Sequence, residues 1–189
     1  MTESEWRPEC LILLMNSSDY FNDLCHSIAT ARLLLRKAHD NGCVIEGICL
    51  YVSIIDGFLR LAVIYSRTKN SPNHSYSFDK NFIRQDEGER TQSEKEIYDI
   101  AFREKIISEK LYKELREMYQ FRNKVVHRFN ISNINYTQVA EACTKFESIY
   151  HEIFDIVALL EHGPRGIPDA SAEEMELFHS KALKKILGK

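Results

Sequence analysis

A chain of 189 residues, 44% hydrophobic and 28% charged, has the size and balance expected of one soluble domain with a full core. A net charge of −3 and a pI near 6.2 exclude a protein that coats nucleic acid through bulk positive charge, but not an enzyme with a local basic cleft. Seven Gly and four Pro leave few turns, so long helices are expected. The chain opens on Met, and the expectation is a complete protein. Its N-terminus, MTESEWRPEC, is acidic, and the apolar run after it is too short for a signal sequence. Cys10, Cys25, Cys43, Cys49 and Cys143 form no CxxC pair and no Cys/His ligand spacing. Their odd number points to reduced thiols in a cytoplasm, with no metal or other cofactor.

In chain order, a first helix is predicted from about Ser18 to Asp40, capped by Ser17 or Ser18 and stopped by Asn41-Gly42. Residues 1–17 are set apart as an N-terminal segment. The second helix runs from about Val44 to Thr68. Cys43 to Tyr65 is the most apolar long stretch, but it carries Glu46, Asp56 and Arg60, so it reads as a core helix rather than a membrane span. Residues 69–92 are polar and read as a long exposed loop. A third helix is predicted from Ser93 to Lys105, with Ser93 and Glu96 spaced as a capping box. A fourth runs from Glu109 to Arg128 behind Ser108 as its cap, and a fifth from Tyr136 to Glu161. HGPRGIP then begins a C-terminal linker, residues 163–189, with a short amphipathic helix near 172–187. No strand alternation persists and no repeat is present. The expected fold is all-α: an antiparallel bundle of four to five helices over residues 18–162, with a short C-terminal helix.

Two helices carry polar residues where an apolar seam should run. On the fourth, Leu111, Leu115, Met118, Val125 and Phe129 share a stripe, and Arg122 falls in its middle. A guanidinium facing a core needs a carboxylate, a phosphate or water. His127 lies about 140° round the helix from Arg122, on the same side as Asn123. On the second helix Glu46, Cys49, Ser53, Asp56, Gly57 and Arg60 form a polar or small stripe. It reads either as close helix packing with an Asp56–Arg60 pair, or as a surface from which Asp56, Ser53 or Glu46 holds Arg122.

The hexapeptide RNKVVH, Arg122 to His127, and its setting in EKIISEKLYKELREMYQFRNKVVHRF resemble the R-x4-6-H motif of HEPN domains, in its RNxxxH form. The resemblance covers about Ser18 to Glu161 and is specific over that 26-residue segment. It implies a metal-independent endoribonuclease, acting as a toxin or phage-defence effector on tRNA or mRNA, and a two-fold homodimer with two motifs facing one cleft. Arg122 would then contact the scissile phosphate, His127 would move protons, and Asn123 would orient the histidine or the phosphate. An antitoxin or regulatory protein is a further expected partner, and no membrane is. In one HEPN toxin subgroup the motif extends to R-x4-H-x-Y, with the tyrosine adenylylated. That position is Phe129 here, which puts such neutralisation in doubt.

The residue types suit the chemistry that the resemblance implies. RNA carries its own nucleophile, the 2′-OH, so an enzyme need only move protons and stabilise a dianionic phosphorane. Histidine titrates near neutrality, and arginine forks onto phosphate oxygens while staying charged. The plainer readings are an ion-paired arginine and a surface histidine, in a catalytically silent HEPN-like dimer that binds a nucleotide or protein partner, or in a helical scaffold.

Overall fold

A computed structural model describes residues 8–71, 80–83 and 92–162. Every regular element among them is helical: α1 (Pro8–Asp40), α2 (Val44–Asn70), the single turn α3 (Lys80–Ile83), α4 (Glu94–Arg103), α5 (Glu109–Arg128), a 3-10 turn at Phe129–Ile131, and α6 (Tyr136–His162). The fold is the all-α bundle expected. The C-terminal helix expected near 172–187 lies outside the described residues.

The helix ends follow local chemistry. Gly42 has φ +67°, a left-handed turn that glycine adopts without strain, and it ends α1. Ser93 caps α4 in a capping box completed by Glu96, whose Oε2 accepts from the Ser93 N–H at 2.7 Å. The Ser108 hydroxyl accepts from the Leu111 N–H at 3.1 Å and starts α5. Asn135 and Gln138 exchange backbone-to-side-chain bonds, each 3.0 Å, at the start of α6.

One end departs from expectation. The first helix does not begin at Ser18: it runs through both serines from Pro8. Proline suits the first turn, where its missing N–H is not needed, and no Gly or Pro stands between it and Ser18 to stop the helix.

The core is organised around α2, which packs against α1, α4, α5 and α6. Ile48, Ile54, Ile55, Leu59, Ala62 and Val63 are almost wholly buried, because a helix covered on most sides must be apolar nearly all round. By length and hydropathy α2 would also pass for a membrane span, but 72% of its most apolar window is buried inside the protein. Gly57 is required by packing: a Cβ there would stand 2.7 Å from Ile28 Cγ1, so α1 and α2 approach more closely than alanine permits.

Residues 69–92 are not wholly an exposed loop. Phe82, in α3, is only 3% exposed and belongs to the core. Arg60 reaches out from α2 and donates to two backbone carbonyls of this segment, that of Phe82 and, at 2.9 Å, that of Gln92. Its Nε donates to Asp56 Oδ2 at 2.7 Å. A guanidinium with that many donors can satisfy a carboxylate and two carbonyls together. The segment is therefore pinned at Phe82 and again at the entrance to α4.

Candidate active site

α4 and α5 form an antiparallel hairpin, and its register decides what Arg122 meets. Near the turn, Asp99 Oδ1 accepts from the Tyr112 hydroxyl at 2.7 Å and from Arg116 at 3.2 Å. At the open end, Glu94 meets Arg122, whose Nη2 donates to Glu94 Oε2. The Arg122 guanidinium carbon also lies 5.2 Å from the ring centre of Tyr119, one turn earlier, a cation–π distance. Tyr119 in turn meets the buried Tyr98 edge-on at 6.4 Å.

The arginine is thus held at the edge of the core, with 18% of its side-chain surface exposed against 27% for Glu94. Its Nε is buried and has no hydrogen-bond partner among the described residues. Leu111, Leu115, Met118 and Val125 are buried along the same seam as expected, whereas Phe129, 37% exposed, leaves it as α5 ends.

Glu94, and not Asp56, Ser53 or Glu46, is the carboxylate on Arg122. Asp56 is taken by Arg60, and Ser53 and Glu46 are exposed on α2. These residues nevertheless border the cluster. Burial raises the Glu94 carboxyl above its ordinary range, Arg122 opposes that rise, and the charge of Asp56 adds to it. Burial likewise raises Asp56, against the pull of Arg60. The Cys49 thiol is raised by burial too, and feels Arg122, Glu46 and Glu94. Two adjacent ion pairs, Asp56–Arg60 and Glu94–Arg122, therefore share one recess between α2, α4 and α5.

Sequence reasoning missed Glu94 because its partner lies 28 residues away. A signal was present, however. Glu94 and Arg122 are equidistant from Ser108, and Asp99 and Arg116 nearly so. An antiparallel hairpin turning there brings both pairs together.

His127 stands in the last turn of α5. Its side chain is exposed and makes no hydrogen bond or ion pair with another described residue. Asn123, one turn earlier on the same flank, is half-buried. The structure does not bring Arg122 and His127 of one chain to a common point: they leave α5 on different sides, about 140° apart. Lys124 and Arg128, on the opposite flank from Asn123, are exposed. Among the described residues no group of three or more His, Cys, Asp or Glu is placed to hold a metal ion.

Residues 75–155 match the model of a family described as Ribonuclease HepT-like. The match takes in Arg60's two anchor points, all of α4 and α5, and most of α6. No curated protein matches the chain, and no solved structure does.

Proposed function

We propose that the chain is a metal-independent endoribonuclease acting on RNA as a homodimer, a reading supported by the match of residues 75–155 to the HepT-like ribonuclease family of the HEPN superfamily. The observation that carries this reading is His127: an exposed imidazole without a partner among the described residues, five residues after an arginine fixed in the core seam, inside the matched segment. A structural histidine in the last turn would be expected to cap carbonyls or pair with an acid. This one is free to exchange protons with a substrate.

The reaction follows from the groups available. A 2′-OH gives its proton to a base, the 2′-oxygen bonds to the adjacent phosphorus, and the P–O5′ bond breaks. The departing 5′-oxygen takes a proton, leaving a 2′,3′-cyclic phosphate and a 5′-hydroxyl. His127 suits the proton steps. Arg122 suits the charge that builds on the phosphorane, and Asn123 suits orienting the imidazole or the phosphate. Two proton transfers at one phosphorus need two groups, and Arg122 and His127 of one helix diverge. Both facts favour a composite cleft in which two copies of α5 face each other. A partner surface is at hand beside the motif: Val126 and Phe129 are apolar or aromatic and exposed. A toxin or phage-defence role in a cytoplasm, with an antitoxin or regulatory protein as partner, is part of the same proposal. The free thiols of Cys25, Cys43, Cys49 and Cys143 agree with a reducing compartment.

A second reading is favoured by the Glu94–Arg122 pair. The cation that would bind phosphate is already occupied, so a phosphate must displace Glu94 or share Arg122 with it. A silent module that binds a nucleotide or protein partner would keep that pair intact.

One experiment separates the two. A mixed tRNA and mRNA pool is incubated in EDTA with the wild-type protein and with His127→Ala, purified identically. Cleavage by the wild type alone is the expected result. No cleavage by either favours the silent module, and equal cleavage by both overturns the assignment of His127. Light scattering should give a mass near twice the 22.1 kDa of the chain. A clean monomer at micromolar concentration would overturn the composite cleft.

A further inference from the structure

A trough runs along α5 on the flank away from Asn123. Its upper part is lined by Glu117, Phe121 and Lys124 of α5 with Gln138, Glu141 and Lys145 of α6. It continues without a break past Arg128 and into the turn at Ile131–Ile134. Phe121, Lys124 and Gln138 belong to both parts. From Glu117 to Arg128 it spans roughly 16 Å of helix. Its floor is apolar, with Met118 and Ala142 buried beneath it.

Charge along the trough is polarised. At the far end Lys145 meets Glu117 at 3.5 Å, and Glu141 adds a further acid. At the end next to His127 stand Lys124 and Arg128, one turn apart. Their side chains make no ion pair or hydrogen bond with described residues, and no acid lines this part. Cations in the last turn of a helix are favoured by its dipole whatever else they do. Lys124 lies before that turn, however, and lines both parts of the trough together with Phe121. Ile131, 82% exposed, lines the same end. An apolar channel with cations at one end that no described residue pairs, and an aromatic side chain, Phe121, along its wall, is the pattern of a single-stranded nucleic-acid track.

We propose that the α5–α6 trough guides the single-stranded RNA leading to the scissile phosphate, with Lys124 and Arg128 on the phosphates nearest His127. The inference rests on the ribonuclease reading for its geometry, because His127 stands on α5 between Lys124 and Arg128. It adds a binding surface distinct from the Arg122 recess, which lies on another side of α5.

The test uses the full chain and a fluorescein-labelled single-stranded RNA carrying 2′-O-methyl groups, which cannot be cut by its own 2′-oxygens. Affinity is measured against salt for the wild type, Lys124→Ala/Arg128→Ala, and a control of equal charge change, Lys69→Ala/Lys110→Ala. Loss of two phosphate contacts should weaken binding at least tenfold at low salt and reduce the slope of log affinity against log salt by roughly 1.4, at about 0.7 per contact for single strands. The control should change neither. Binding equal to wild type in the trough variant, or no binding by the wild type, overturns the proposal. So does a trough variant whose only defect is loss of the dimeric mass, which would assign this face to a protein interface. Cleavage of unmodified RNA by wild type and His127→Ala is followed in parallel. Lost binding with no cleavage by any form retains the track and refutes the catalytic reading; wild-type-only cleavage with intact binding by the trough variant does the reverse.

Discussion

Replacing Glu94 with alanine should cost about 2 kcal/mol of stability, and most of that loss should vanish when Arg122 is replaced as well. Breaking a fully buried pair by removing one partner costs roughly 3–5 kcal/mol, while an exposed pair contributes about 0–1. With 18% and 27% of the two side chains exposed, this pair lies between those limits. The stranded group would be a guanidinium whose Nε already lacks a partner in the buried seam, so alanine at 94 leaves a charge with no anion beside it. Removing both groups leaves no stranded charge, and a coupling energy of about 1–2 kcal/mol is expected. Urea unfolding of the wild type, both single variants and the double variant measures it. In a chain of this length the single loss should lower Tm by roughly 4–8 °C. If Glu94→Ala lies within about 0.5 kcal/mol of wild type, or if the two single losses simply add, Glu94 does not hold Arg122 and the description of the recess is wrong.

Other outcomes follow from the same geometry. Because burial raises Glu94 in the folded state above its unfolded value near 4.5, ionising it costs the folded protein more than the unfolded chain, so this proton-linked part of stability is fully present below that pH and is lost as pH rises through the folded value, separately from the coupling between the ionised Glu94 and Arg122. Thermal unfolding between about pH 4 and pH 7 should therefore decline less steeply with pH for Glu94→Gln than for the wild type. A residual decline should persist from Asp56, which is raised in the same direction; parallel curves would refute the assignment. His127→Ala should leave unfolding free energy within about 0.5 kcal/mol of wild type, since the side chain is exposed and unpaired. RNA cleavage by that variant should fall by about 10²–10⁴, and equal losses of stability and activity would make the histidine structural. Gly57→Ala should destabilise by about 1–3 kcal/mol, because its methyl would meet Ile28 at 2.7 Å; a neutral effect in urea would mean that α1 yields there. Phe82→Ala should cost about 3–5 kcal/mol, despite lying in a segment of polar composition, and a change under 1 kcal/mol would show that α3 is not part of the core.

The sequence by itself determined most of the helices and the candidate pair Arg122 and His127, because both are written in short-range patterns. Ser93 with Glu96, Ser108 ahead of α5, and Gly42 after α1 each act within one turn of the backbone they satisfy. The spacing of Arg122, Asn123 and His127 likewise lies within two turns of one helix, so their relative directions follow from helix geometry alone. The start of α1 was harder to read, since Ser17 and Ser18 serve equally well as cap or as interior residues until the chain before them is known to continue the helix. Only the tertiary structure decided the partners. Glu94 reaches Arg122 because α4 and α5 fold back on each other, while Asp56, on the right helix, is consumed by Arg60 four residues later. Phe82 enters the core from a polar stretch because Arg60 grips its carbonyl, an interaction no local pattern encodes. The trough beside Lys124 exists only where α6 crosses α5. Which charges remain free is set by long-range pairing, and that freedom separates a surface cation from one able to meet a phosphate.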